Sequence, residues 1–509
     1  MKKLCVAMCV AFIYMVSAPL FAFTGFSHTM GDSVRSVDKE VMEKLSESPK
    51  TCLPLVVDQL VARSEGEFTA MVIHDWICDT IAYDTAAFTD SSIYGQQDYV
   101  TVLQKKKATS AGYANVMCEM CRLAGIDCIA ISGQLKSGME MNSTWTWNAV
   151  FEGNGWHLLD VALDAGFVDR GYFVKHYSTD WMGLTAGQFV FSHLPDDESF
   201  QYLKKPVSKR VFAMQPNVPA KFFTMGLSFA NPKNMPYSSN IINSSVSFDF
   251  KADDPSVIVY ASLDTADMSD YGRTVQRACW TNRMDDSLTV HIDVPSQIYY
   301  KAGLYARRKG ELKDPLIISA YDWNAFVLPK ASELLQENKI TKNEYDFLIA
   351  SYRNVAANES FYFIEDVFAF ERSLAVTKIF SLLGVNSTNY DEILSFYIKA
   401  SDKYAGYGQG RMRFPAELYY YPESMNIKLV APMTGSVRKG GVQKFVVEAK
   451  GYQNILLVCG DSIWKPFAYD AKTKCYELKM EIPRDAPSAA IVGVRDSEHF
   501  EELIRFDVQ

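Results

Sequence analysis

The chain has 509 residues, 48% hydrophobic and 22% charged, with 28 Gly and 19 Pro, a composition that excludes collagen-like, low-complexity and mainly disordered classes. Its 51 Lys+Arg against 60 Asp+Glu give a formal charge of -9, and the longest basic run is the three lysines 105–107. No electrostatic footprint for nucleic acid is present.

At the start, Met1, Lys2 and Lys3 are followed by an almost wholly apolar stretch, 4–18, and by a segment ending in the small Ala22. This is the layout of a bacterial-style secretory signal, residues 1–22. The expectation is export to a periplasm, an outer surface or the medium. An uncleaved anchor is the competing reading, but no basic stop-transfer flank follows, so no stable membrane span is expected after cleavage. Cleavage removes two lysines and no acid, taking the formal charge from -9 to -11 and the cysteines from ten to eight. Eight cysteines are too few for a disulfide framework, although export permits isolated bridges.

Residues 23–66 read as helices, and 67–83 is a clearer amphipathic one, with Met71, Ile73, His74, Ile77, Cys78 and Ile81 mostly on one stripe. A helix over 110–124, ended by Gly125, precedes strand-like runs at 127–132, 145–151 and 156–163, the last two joined by the turn 152–155. Helices followed by an antiparallel sheet make an α+β domain, assigned to 23–204. Cys118, Cys121 and Cys128 invite a zinc reading, but a lone C-x-x-C with one further cysteine is weak, and packing in the helix core is preferred. Neither a metal nor any other cofactor is expected.

Short strand-like runs at 220–229, 246–250, 256–263, 287–294 and 298–306 suggest a β-sandwich over 205–312. Residues 313–412 read as a helical region, with Thr341 and Glu344 spaced as a capping box. Runs at 444–447, 454–458, 475–482 and 489–494 make 413–509 a second, Ig-like β-sandwich. Cys459 and Cys475 lie in neighbouring runs of it, either bridged or as separate thiols.

The informative stretch is Lys107-Ala108-Thr109-Ser110-Ala111-Gly112-Tyr113-Ala114, then Ala124-Gly125-Ile126, Trp147-Asn148-Ala149-Val150 and Gly155-Trp156-His157-Leu158-Leu159-Asp160. Here the chain resembles the transglutaminase-like superfamily. The upstream His74-Asp75-Trp76-Ile77 and the downstream His193-Leu194-Pro195-Asp196-Asp197 resemble its kyphoscoliosis-peptidase-like branch. The resemblance implies a papain/transglutaminase-like domain whose catalytic positions are Ser110, Trp145 and Asp160. Gly112, Tyr113, Trp147, Asn148 and Trp156 would then line the cleft.

In that superfamily a cysteine at a helix N-terminus is the nucleophile, a histidine is the base and an aspartate orients the imidazole. Serine's hydroxyl is far less acidic than a thiol, so a helix dipole worth at most about 2 kcal/mol does not ionise it and a base becomes indispensable. An indole N–H is a donor only. His157 lies three residues before Asp160, on the opposite face of a strand; His176 and His193 fall in loops that the pattern leaves unplaced. Ser110 reads as a helix N-cap, Asp160 as an acceptor at a strand end, and the tryptophans as packing. The expectation is an exported pseudoenzyme, a protein- or peptide-binding or scaffolding component of a bacterial cell envelope whose partner is a protein or peptidic polymer. Two alternatives stay open: an active peptidase, amidase or acyltransferase using Ser110 with a base from elsewhere, and an adhesion or carbohydrate-binding protein acting through its sandwiches.

Overall fold

The computed structural model describes residues 37–308, 328–346 and 391–509, apart from 65–67, 138–139, 154, 170–171, 232–234, 236–239, 243–244, 267–274, 276, 338, 343–344, 402, 404–405, 409–410, 418–425, 461 and 497–499. The expected leader 1–22 and Glu344 of the expected capping box lie outside the described residues. The chain divides into two compact units, 1–224 and 225–509, a later division than the 204/205 boundary read from the sequence.

The first unit opens with helices α1 (Lys39–Leu45), α2 (Pro49–Arg63) and α3 (Thr69–Thr80). Strand β1 (Ala82–Tyr83), helix α4 (Tyr99–Lys105), strand β2 (Lys107–Ala108) and helix α5 (Ser110–Leu123) follow. β3 (Asp127–Ser137), β4 (Glu140–Glu152) and β5 (Gly155–Leu159) form an antiparallel sheet. Residues 161–163, read as the end of a strand, instead belong to helix α6 (Val161–Ala165), because the Asp160 carboxylate caps the Leu163 N–H and turns the chain. β6 (Gly166–Asp169) pairs with β7 (Tyr172–Lys175), and α7 (Ala186–Phe189) leads to β8 (His193–Pro195). β8 completes the sheet, in the order β5-β4-β3-β8. α8 (Lys209–Met214) and α9 (Ala220–Thr224) close the unit; 220–224, expected as strand, is therefore helical.

α5 packs on β3 and β4. The alternation of β4 sorts its side chains: Val150 joins the core shared with α3 and α5, whereas Trp147 and Ala149 join a second core with Leu184 and Phe189 on the other face. Each large apolar side chain buried this way contributes about 1.5–3 kcal/mol.

The second unit is built of strands: β9 (Leu227–Phe229), β10 (Asn240–Ile242), β11 (Ser245–Ala252), β12 (Val257–Thr265), β13 (Cys279–Met284), β14 (Ser287–Asp293) and β15 (Tyr299–Arg308). Helix α10 (Leu328–Gln336) lies in the expected helical region, but Asp391–Ala400 is a strand, β16, paired antiparallel with β15. Its alternating Leu394, Phe396 and Ile398 are buried against the sheet's core, which is why this part of 313–412 is not helical. β17 (Ala416–Glu417), β18 (Ile427–Ala431), β19 (Ser436–Val437), β20 (Val442–Ala449), β21 (Asn454–Cys459), β22 (Ile463–Pro466), β23 (Ala468–Asp470), β24 (Cys475–Glu481), β25 (Ser488–Val494) and β26 (Phe500–Val508) complete it.

These strands make a four-stranded sheet, β10-β16-β15-β12, an eight-stranded one, β23-β24-β20-β18-β13-β14-β11-β9, and a six-stranded one that includes β17-β26-β25-β21-β22. The eight-stranded sheet runs across both regions read as separate sandwiches, through the pairing of Arg283 with Ile427. Phe248 of the eight-stranded sheet packs edge-on against Phe396 of the four-stranded one. Phe445 and Val447 share a core with Ile491, Ile504 and Phe506 of the six-stranded sheet. Cys459 and Cys475 are both free thiols, on different sheets.

Candidate functional site

The N-terminus of α5 is fixed by close packing. Thr109 is its N-cap residue, in extended conformation, and the Thr109 N–H donates to Gln97 Oε1 at 2.8 Å. A side chain at Gly112 would place Cβ 2.4 Å from the same Gln97 oxygen and 2.8 Å from Val102 Cγ2, so any larger residue at this turn of helix has to displace its neighbours. Ser110 is the first helical residue and not the N-cap read from the sequence, because Thr109 already supplies the extended step. Ser110 is buried, and its Oγ accepts the Thr146 N–H at 3.3 Å; among the described residues this is the one hydrogen bond of the hydroxyl.

The other two positions that the resemblance implies as catalytic, Trp145 and Asp160, meet. Trp145 Nε1–H donates to Asp160 Oδ2 at 2.5 Å, the bond that an imidazole N–H would make in a Cys-His-Asp arrangement. What the indole lacks is a second nitrogen to receive a proton. Asp160 is fully buried and held by three hydrogen bonds: besides the Trp145 bond, Oδ1 accepts the Leu163 N–H at 3.0 Å and Oδ2 also meets His193 Nε2 at 3.0 Å.

His193, unplaced in the sequence reading, lies on β8 beside Leu135. Its ring is stacked on Phe189, with centroids 4.1 Å apart, and met edge-on by Trp147 and Trp181. Burial lowers its proton affinity more than the Asp160 contact raises it. With Nε2–H donated to the carboxylate, Nδ1 faces the Ser192 hydroxyl at 2.8 Å. Both nitrogens are thus engaged, and neither is hydrogen-bonded to Ser110.

The residues expected to line the cleft are structural partners of this frame. Tyr113 is buried and donates its hydroxyl to Ile81 O at 2.8 Å. Asn148 donates Nδ2–H to Ala114 O at 3.1 Å, tying β4 to α5. Trp147 and Trp156 are buried on the far face of the sheet, Trp156 against Phe151 and Tyr202. One face of Trp145 is covered by Tyr83, nearly parallel with centroids 5.8 Å apart, and Tyr83 in turn stacks on Phe88. Phe88 is 57% exposed and Tyr94 52%. A ladder of rings therefore runs from the buried carboxylate to the surface.

In the sequence, Tyr83, in the stretch Ile81-Ala82-Tyr83-Asp84 that shares the resemblance, and Glu152, at the expected turn, have no role in the site, and Gln97 is unmarked. The Glu152 oxygens accept the N–H groups of Thr69 and Ala70 at 2.8 and 3.0 Å, the carboxylate sitting at the positive end of α3. A signal for Glu152 was available in its place beside the expected turn; none pointed to Gln97.

A second polar cluster lies on α3. His74, read as one member of an apolar stripe, is fully buried with Nδ1 3.0 Å from Asp75 Oδ1, Nε2 3.2 Å from Asp164 Oδ2 and Cys78 Sγ 3.6 Å away. Tyr177 donates to Asp75 at 2.7 Å, and Ser178 to Asp164. Burial raises Asp164 to about 6, opposed by its hydrogen bond with His74. For His74 burial acts downward, but its contact with Cys78 and its bonds to Asp164 and Asp75 outweigh it and hold the imidazole above its ordinary value. With every member at or near zero exposure, this Cys-His-Asp set is closed to a substrate. Among the described residues no group of three or more His, Cys, Asp or Glu is arranged to hold a metal ion.

Residues 57–161 match the transglutaminase-like superfamily. The human kyphoscoliosis peptidase is 29% identical over 215 residues, which are 39% of this chain and 32% of that protein. Hillarin of Drosophila melanogaster is 28% identical over 244 residues, 43% of this chain and 29% of its own length. The chain thus spans about a third of the length of the curated relatives it matches. A solved TGase structure aligns at 15% identity over 25% of this chain and 37% of its own, with a TM-score of 0.20. Residues 57–161 are accordingly a transglutaminase-like domain, and over the wider match the chain is similar to the kyphoscoliosis peptidases.

Proposed function

We propose that this transglutaminase-like domain no longer performs acyl transfer and acts as a binding module for a protein or peptidic polymer. The observation that carries the reading is the Trp145–Asp160 hydrogen bond: the base position is filled by a donor that keeps the frame in place and cannot accept the nucleophile's proton. The hydroxyl at the nucleophile position supports it further, since Ser110 Oγ is met by the Thr146 backbone N–H and by no histidine or carboxylate among the described residues. A serine nucleophile requires a base within about 3 Å. An extended chain entering from solvent would meet Phe88 and Tyr94 first, and aromatic faces offer it apolar area without sequence demands.

The surrounding assignments belong to the same proposal. Export rests on the basic-apolar leader 1–22. The bacterial envelope setting rests on that leader's style alone, while the relatives named above are from human and fly. The strand-rich second unit is read as Ig-like sandwiches that space or present the first.

Fluorescence polarisation of a labelled mixed-peptide pool on the intact chain tests the binding role. Saturable binding is expected, unchanged in Ser110→Ala and weakened about tenfold in a Phe88→Ala/Tyr94→Ala double variant. Absence of binding by the native chain, or equal binding by the double variant, contradicts this placement.

A further inference from the structure

The cysteines Cys118, Cys121 and Cys128, which the sequence assigns to core packing in preference to zinc, include a pair with a further use. Cys118, two turns into α5, and Cys128, near the start of β3, bring their sulfurs to 3.3 Å. Asn148 Nδ2 lies 3.3 Å from the first and 3.4 Å from the second, so the pair sits directly behind the strand that carries Trp145. Both cysteines are only partly buried, whereas Cys121, one turn from Cys118, is closed off. Three sulfurs and an amide make a poor zinc set, since the ion takes four thiolate, imidazole or carboxylate ligands.

We propose that Cys118 and Cys128 are a reversible disulfide site that, when oxidised, staples α5 to β3 and so fixes the helix bearing Ser110 against the sheet bearing Trp145. The sulfurs have to close from 3.3 Å to the bonded distance of about 2.05 Å, a movement within reach of side-chain torsions. The oxidant is a small-molecule or protein disulfide. One cysteine loses its proton to solvent, its thiolate attacks a sulfur of that disulfide, and a mixed disulfide forms as one thiolate leaves. The second cysteine, deprotonated in turn, attacks the mixed disulfide and expels the other thiolate. Two protein thiols are oxidised and one disulfide is reduced to two thiols, with no further reactant. The contact with Cys128, and then burial, hold the Cys118 thiol above its ordinary acidity range, so the exchange is slow.

The test incubates the intact chain for hours at pH 8.5 in glutathione disulfide or in dithiothreitol, alkylates it, digests it and fragments the joined peptides. Fragmentation is needed because Cys118 and Cys121 share a tryptic peptide. The expected product is a Cys118–Cys128 link that disappears in dithiothreitol and persists in Cys121→Ser. The oxidised chain should also melt about 5 °C higher, a rise lost in Cys128→Ser. Full alkylation of both cysteines after prolonged oxidation overturns the proposal, as does a link through Cys121. A link that leaves the melting midpoint unmoved overturns the staple.

Discussion

At the scale of single residues, two histidines show how burial and partners decide a role. His193 has a carboxylate beside it, as a catalytic imidazole would, yet its other nitrogen is spent on Ser192 and its ring is enclosed by Phe189, Trp147 and Trp181. His74 is held against Asp164, whose raised proton affinity has a measurable consequence. Asp164 binds its proton more tightly folded than unfolded, so this stabilisation is fully present below the ordinary 3.8 and is lost as pH rises through about 6. His74, also raised, has the same sign: its share is present below 6.5 and is lost at higher pH. The Asp164 share of the first unit's stability should therefore fall by on the order of 2 kcal/mol between pH 4.5 and 7.5, while the lowered His193 acts with the opposite sign. Urea denaturation at the two pH values should show a smaller fall in Asp164→Asn, whose amide keeps the bonds to Ser178 and the Trp181 N–H. An equal fall in both proteins contradicts the assignment.

At the scale of elements, α5 is defined by two glycines that act differently. Gly112 is demanded by space, since a methyl there collides with Gln97, Ala108 and Val102. Gly125 is demanded by conformation: at φ 75 with open space around it, it ends the helix while the Ile126 N–H reaches back to Cys121 O at 2.8 Å. Gly112→Ala should cost about 1–3 kcal/mol through overpacking and Gly125→Ala about 1 kcal/mol through backbone strain. Thermal denaturation compares them; equal losses, or a larger loss at Gly125, contradict the distinction. Both glycines stand in motifs legible in the sequence, as do α3, α5 and the β4–β5 turn, because helix period, strand alternation and turn residues are local signals. Asp160 was legible as an acceptor but not as a cap, since its effect on 161–165 depends on one side-chain bond. His193 was out of reach because β8 is three residues long and joins the sheet only through its distant partner β3.

At the scale of the whole chain, local pattern locates strands but not their sheets. The expected division into two sandwiches around a helical region misses that β16 pairs with β15, and that one sheet spans both regions through β13 and β18. Such pairings join residues far apart in sequence, and no periodicity records them. The first unit was the more legible because its strands β3, β4 and β5 are consecutive and hairpin-connected. Within it, the resemblance implies triad positions at Ser110, Trp145 and Asp160, and the structure gives these residues a donor-only indole on a buried carboxylate and a hydroxyl met by backbone.

The most direct measurement of that account is mass spectrometry of the intact chain incubated with a mixed peptide pool and a primary-amine donor, scoring cleavage, deamidation and cross-linking beside Ser110→Ala and a Ser110→Cys/Trp145→His double variant. The account predicts no turnover by the native chain above the Ser110→Ala background, whether or not the double variant gains any. Turnover by the native chain that vanishes in Ser110→Ala would contradict it.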